Sequence, residues 1–314
     1  MRWFTDYEEE IKMALELARE AVKAYPSSLR ETAETMLRRA DPRHNRSNYV
    51  AYLLPLWLAK DERHAAAAIR LAGAHFLAAL HFGLVDDMMD EPPAVWSGER
   101  RQLLLLSQLL QESFKAEYRR HFSSDSVVWE DLGRYTSEWA VAALNERARI
   151  ADPRNVRQLA AKAAPVKLGA SALLELRGEP EQRTAAERAV ELTLATLQLA
   201  DDWADWQDDL TQPEGNAFLS LVREHLPLQD QEAPWDARLV KRAVYHYGAL
   251  DGLSRIADDL CARLSPLTGV SPMLIAYQRS ICDGIRRDAR AARAESDRLV
   301  LGGFHYHLHN FLKK

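Results

Sequence analysis

Apolar residues recur with a helical period along almost the whole chain, and the sustained Val/Ile/Thr alternation of a strand is missing. Ala, Leu, Glu, Arg and Gln dominate the periodic segments, and these are good helix formers. The pattern predicts helices over 4–24, 28–40, 46–60, 62–91, 98–122, 126–150, 153–178, 182–211, 236–265 and 270–300. Punctuation marks the breaks. Pro26-Ser27-Ser28 reads as a stop and an N-cap, Asp152-Pro153 as a cap with Pro in the first turn, and Gly178-Glu179-Pro180 as a C-cap with a following Pro. No linker, low-complexity stretch or internal repeat divides the chain. The expectation is a single all-α domain over 1–314, a bundle of about ten or more helices.

Two segments stand apart. Residues 65–85 and 186–202 are apolar almost all round, as helices in the middle of a bundle are. Both run directly into aspartate clusters. The first is Asp86-Asp87-Met88-Met89-Asp90 and the second Asp201-Asp202-Trp203-Ala204-Asp205, with Gln198 before it and Asp209 after it. On a helix Asp86 and Asp90 share a face, and Asp201, Asp205 and Asp209 form a ridge at i, i+4 and i+8. Like charges at that spacing repel, so something must offset them.

Composition narrows the choice. The chain has 314 residues, 47% hydrophobic and 28% charged, with a formal net charge of −5. That balance argues against wholesale nucleic-acid binding. Two cysteines, Cys261 and Cys282, cannot build a disulfide framework or a Cys-rich zinc module, so a reducing cytoplasm is the expected compartment. With no long uninterrupted apolar run, no membrane span is expected, and the early acidic residues Glu8, Glu9 and Glu10 do not suit a signal or transit peptide.

Carboxylate ridges without His or Cys in a ligand pattern suit a hard divalent cation such as Mg²⁺, which keeps waters and is completed by substrate phosphates. Glu-x-x-His pairs for a di-iron site are missing, and His81 stands at a weak ligand spacing from Asp86. A single Asp-Asp-x-x-Asp is most often a solvated helix face. Two of them, each closing an apolar helix, point to a site.

The pair resembles the aspartate-rich motifs of the class I isoprenoid enzymes, above all the trans-prenyl diphosphate synthases. Asp86, Asp87 and Asp90 match the first motif; Gln198, Asp201, Asp202, Asp205 and Asp209 match the second position by position. A Lys-Thr pair between the motifs is half present as Lys167-Leu168. The resemblance implies a class I isoprenoid synthase fold with a central cavity. It implies three Mg²⁺ ions bridging to an allylic diphosphate of C10 to C20, with Asp86, Asp90, Asp201 and Asp205 as metal ligands. Asp87 and Asp202 would complete the clusters, Lys167 would contact the diphosphate, and Gln198 would face the reacting carbons. Phe82, His81, Ala78 and Leu194 would line the prenyl cavity. A homodimer is also implied.

The chain departs from the elongating members at the second substrate. Where an Arg-Arg-Gly follows the first motif, this chain has Glu91-Pro92-Pro93, with Arg100-Arg101 later; where a Gly-Lys-Arg stands upstream, it offers Arg43 and Arg46 in another pattern. After the second motif a Gly-Lys is replaced by Gly215-Asn216. The reading favoured is therefore a terpene synthase that cyclises or eliminates, or a prenyltransferase to a non-standard acceptor. The Asn/Ser/Glu second motif of terpene cyclases is not seen. An isopentenyl-condensing synthase is the alternative, and a non-catalytic regulatory subunit a further one, although such a subunit should have eroded aspartates. His305, His307 and His309, the arginines 286, 287, 290 and 293, and Lys313-Lys314 read as surface features.

Overall fold

The computed structural model describes residues 2–41, 49–59, 61–90, 97–146 and 148–311. Among these the chain is all helical, without strands, and carries fourteen α-helices. By internal contacts it divides into two compact units, Met1–Ser137 with Ala164–Val190 and Gly269–Leu274, and Glu138–Ala163 with Glu191–Thr268 and Ile275–Lys314.

The first unit contains α1 (Arg2–Thr5), α2 (Glu8–Val22), α3 (Ser27–Arg39), α4 (Tyr49–Leu58), α5 (Glu62–Asp90) and α6 (Gly98–Tyr118), the first part of α7 (Val127–Asn145), and α9 (Leu168–Arg177). Its axis is α5, which packs on α2, α4, α6 and α9. The all-round apolar segment expected at 65–85 has its physical reason here, since Leu71, Ala72, Ala74, Phe76, Leu77 and Ala78 are all buried. A Cβ at Gly73 would meet the Ala14 carbonyl oxygen at 2.9 Å, so only glycine lets α5 lie this close to α2. Over Glu62–Met89 α5 is long and apolar enough to cross a membrane, and the sequence reading of no such run does not describe it. Most of that stretch is buried against neighbouring helices, as in the core helix of a bundle. Across from it, α4 is buried from Val50 to Leu58; Tyr52 stacks on Phe76 at 4.3 Å, and the Trp57 indole N–H donates to the Trp3 carbonyl.

The second unit contains the rest of α7, α8 (Val156–Ala161), most of α10 (Arg183–Ala204), α11 (Ala217–His225), α12 (Ala237–Tyr247), α13 (Ala249–Leu264) and most of α14 (Pro272–Phe311). Phe218, Leu219, Leu221 and Val222 of α11 are buried, as are Leu250, Leu253, Ala257 and Leu260 of α13, and these two helices pack together with α12. Gln278 of α14 donates to the Leu192 carbonyl and the Thr196 hydroxyl of α10. Cys261 and Cys282 are joined as a single disulfide between α13 and α14, a pairing that the reading of a reducing compartment did not anticipate.

The helices differ from the pattern-based reading at several points. The helix expected over 153–178 is interrupted by a 3₁₀ turn at Ala164–Lys167, because Pro165 has no N–H to donate and its ring crowds the preceding turn. The helix expected over 236–265 is two helices, divided at Gly248, whose φ of 71° lies in the left-handed region. Helix α11 was not anticipated; Asn216 caps it by accepting from the Leu219 N–H.

Candidate functional site

The second aspartate cluster closes α10. That helix stops at Ala204, short of the expected 211, and Asp209 lies in a following 3₁₀ turn, Asp208–Thr211. The one-helix ridge is therefore broken. The Asp205 N–H still donates to the Asp201 carbonyl at 2.9 Å and the Asp209 N–H to the Asp205 carbonyl at 3.1 Å, which keeps helix-like spacing through the break.

Four side chains of this cluster are committed to holding it together. Asp202 is buried; one carboxylate oxygen accepts from Gln198 Nε2 and the other from the Ala217 N–H, both at 2.7 Å. The second contact places a carboxylate at the N-terminus of α11, where backbone N–H groups lack helical partners. Asn216 Nδ2 donates to the Asp202 carbonyl and to the Asp209 carboxylate, each at 2.8 Å. Asp202, Gln198, Asn216 and Asp209 thus staple the end of α10 to the start of α11. Burial pushes the Asp202 carboxyl upward, against the opposing pull of Lys162 and its two hydrogen bonds.

Asp201 and Asp205 are different. Both are exposed, and neither makes a side-chain hydrogen bond or ion pair among the described residues. Although solvent-accessible, Asp201 is pushed up to about 6, first by desolvation and then by the charges of Asp202 and Asp205, with Lys162 opposing. A carboxylate raised by its like-charged neighbours is one that a cation would stabilise. The donors here are all oxygen, which suits a hard ion with several retained waters. Among the described residues no three His, Cys, Asp or Glu side chains converge on one point, so a cation held here would need ligands beyond this pair.

Lys162, at the C-terminus of α8, is the lysine beside this cluster. Its ammonium donates to the Gly215 carbonyl at 3.0 Å and pairs with Glu146 at 2.6 Å. Burial works to lower its pKa, but the charges of Asp202, Glu146 and Asp209 outweigh that and raise it. Lys167, the lysine expected to contact the diphosphate, is buried in the first unit. It pairs with Glu187 at 3.2 Å and lies 4.6 Å over the Tyr135 ring. Arg134 shares Glu187 at 2.6 Å. The only sequence clue to Lys162 was its place in the same interrupted segment, one 3₁₀ turn before Lys167.

The first cluster ends α5. Asp86 is half-buried and Asp87 exposed, while the side chain of Asp90 lies outside the described set. One turn back His81 is buried, with Nδ1 on the Ser107 carbonyl and hydroxyl of α6 and Nε2 on Gln111; burial lowers its pKa. Ala78 and Leu194 are buried and Phe82 half-buried. Arg100 is half-buried in the first turn of α6, where its N–H donates to the capping Ser97 hydroxyl. Arg43 and Arg46 lie outside the described residues.

No family model matches the chain, and a search of curated proteins finds no match. Among solved structures it is similar to a decaprenyl diphosphate synthase from Rhodobacter capsulatus, with a TM-score of 0.65 at 14% identity over 93% of this chain and 99% of that one. The fold is therefore isoprenoid diphosphate synthase-like, as the motifs implied.

Proposed function

We propose that the protein is a Mg²⁺-dependent class I enzyme that ionises an allylic prenyl diphosphate of C10 to C20. It then acts as a terpene synthase, by cyclisation or elimination, or as a prenyltransferase to an acceptor other than isopentenyl diphosphate. The observation that carries this reading is the exposed pair Asp201 and Asp205, whose carboxylates make no hydrogen bond or ion pair among the described residues, at the end of a core helix in an isoprenoid synthase-like fold.

Asp201 and Asp205 are assigned the metal in the second unit; the assignment of Asp86 and Asp90 to it rests on the motif resemblance alone. Mg²⁺ held there supplies neutralisation of the negative charge that gathers on a departing diphosphate. The buried Asp202–Ala217 and Asn216–Asp209 bonds act as positioning contacts that fix the backbone from which Asp201 and Asp205 project. Lys162 supplies a fixed positive charge, and the diphosphate-contacting role given to Lys167 passes to it. The C–O bond of the substrate breaks, its electron pair leaves with the diphosphate, and apolar walls protect the allylic cation from water. No protein nucleophile is required. A homodimer without a membrane span belongs to the same proposal.

A second reading, condensation with isopentenyl diphosphate, is favoured by one observation, the likeness to a decaprenyl diphosphate synthase. Incubation with Mg²⁺ and C10, C15 or C20 allylic diphosphates, with and without isopentenyl diphosphate, separates the two. A hydrocarbon or alcohol formed without isopentenyl diphosphate supports the first; a longer diphosphate formed only with it supports the second. Asp86→Asn and Asp201→Asn should each reduce Mg²⁺-dependent diphosphate release by about a hundredfold or more. Retention of most activity in either variant would sink the metal assignment.

A further inference from the structure

Beside the second aspartate cluster, and wholly within the second unit, lies a groove of about 800 Å³ that shares Lys162 with the site proposed above but is lined by none of its aspartates. The second half of α7 forms one wall, α8 the other, and the connection between them the outer edge. Val141, Ala142 and Leu159 give it apolar sides, and Ile150, three-quarters exposed, adds an apolar edge that nothing in the described chain covers. A volume of this size is in the range of small-molecule sites.

Two arginines that line the groove, Arg149 on the connection and Arg157 in the first turn of α8, are exposed and have no hydrogen-bond or ion-pair partner among the described residues. Their neighbour Arg154 contrasts with them, since both its terminal nitrogens are taken by Glu224 at 3.0 and 2.9 Å. Nor is the acidic lining available to them: Glu146 is paired with Lys162, and Glu138 has a partner of its own. The Lys162–Glu146 pair also shuts the inner end against Gly215, where a Cβ would meet Glu146 Cγ at 2.9 Å.

The stretch after Arg149 and the start of α8 that carries Arg157 are tied down by hydrogen bonds among the described residues. The Ala151 N–H donates to the Glu214 carbonyl at 2.8 Å. Gln158 accepts from the Asp152 N–H and donates to the Ile150 carbonyl, while Asn155 caps α8 through the Gln158 N–H. A ligand would therefore not have to order the loop before binding to it.

We infer that this groove is a metal-independent binding site for a small phosphorylated organic molecule. Its phosphate meets Arg149 and Arg157, whose guanidinium forks match phosphate oxygens two at a time. Its short hydrocarbon part lies on Val141, Ala142 and Leu159. The site does not depend on the reaction assigned above, because it needs neither Mg²⁺ nor the aspartates.

The test is calorimetric titration in EDTA with three probes: hexyl phosphate, inorganic pyrophosphate and hexanoate. Hexyl phosphate should bind most tightly, with an affinity that falls as salt is added. Removing each arginine should weaken it on the order of tenfold, so the double variant Arg149→Ala, Arg157→Ala should lose about a hundredfold. Ala142→Phe, which fills the apolar side, should weaken hexyl phosphate and spare pyrophosphate. Asp201→Asn should leave all three titrations unchanged, which separates this site from the metal cluster. Absence of hexyl phosphate binding would overturn the proposal, as would binding that the double variant keeps. Hexanoate as tight as hexyl phosphate would refute the phosphate assignment, and pyrophosphate as tight would refute the apolar one.

Discussion

Asp201 and Asp202 are adjacent in sequence and identical in type, yet their removal should change stability in opposite directions. Asp202→Ala deletes two hydrogen bonds of 2.7 Å and leaves the Ala217 N–H buried without a partner, since Ala217 has no exposed surface. Bonds to a charged acceptor contribute about 1.5–3 kcal/mol each, and an orphaned buried donor costs about 1–3 kcal/mol. Half-buried Gln198 can turn to water, and the removal of a desolvated charge returns part of the loss. The net expectation is about 3 kcal/mol of destabilisation. Asp202→Asn keeps an acceptor for Ala217 and should cost about 1 kcal/mol. Asp201→Ala deletes an exposed carboxylate repelled by Asp202 and Asp205, and after solvent screening should stabilise by up to about 1 kcal/mol. Urea unfolding in EDTA, followed by tryptophan fluorescence, measures all three. At a slope of about 3 kcal/mol/M the Asp202→Ala midpoint falls by about 1 M, and that of Asp201→Ala holds or rises. Equal losses for the two alanine variants, or less than about 0.5 kcal/mol for Asp202→Ala, would refute the division of the cluster into a structural and a ligand-facing half.

Two other consequences are accessible to routine assays. Lys162→Ala should reduce turnover of an allylic diphosphate by about tenfold or more with little loss of stability, whereas Lys167→Ala should keep turnover and cost about 2–4 kcal/mol, through the void beside Tyr135 and a weakened Glu187 pair; the opposite assignment of the two phenotypes would return Lys167 to the site. Burial on α5, where its Nε2 meets the Tyr118 hydroxyl at 2.7 Å, lowers His75 from 6.5 to about 4. Between those values the unfolded chain binds the proton that the folded chain rejects, so stability is full above pH 6.5 and falls by up to about 3 kcal/mol as the pH drops to 4. Denaturation of the wild type and His75→Gln across that range checks this, and equal slopes would exclude His75 as the cause.

Much of the architecture is legible in the chain because it follows from local rules. The period of apolar positions sets the helices, and an all-round apolar stretch such as 65–85 can be buried only at the centre, where α5 lies. Gly178 ends α9 with a φ of 65°, as its sequence position implied. Pro165 and Gly248 were equally local breaks, but a helix-period pattern continues across both, so periodicity alone joined segments that backbone chemistry divides. The aspartate motifs were legible too, since they need only residue type and spacing. What each aspartate does was not. Whether a carboxylate faces water or the N–H of another helix depends on which element packs beside it, and α11 starts fifteen residues after Asp202. The same holds for the two lysines: five residues apart and similar in setting along the chain, they are separated by the 3₁₀ turn that sends Lys162 toward Asp202 and Asp209 and Lys167 toward Glu187. Sequence determined the elements and the stock of charges, because both are properties of short segments; tertiary structure decided which charges are spent on holding the fold and which remain for a ligand, because that depends on contacts between segments far apart in the chain.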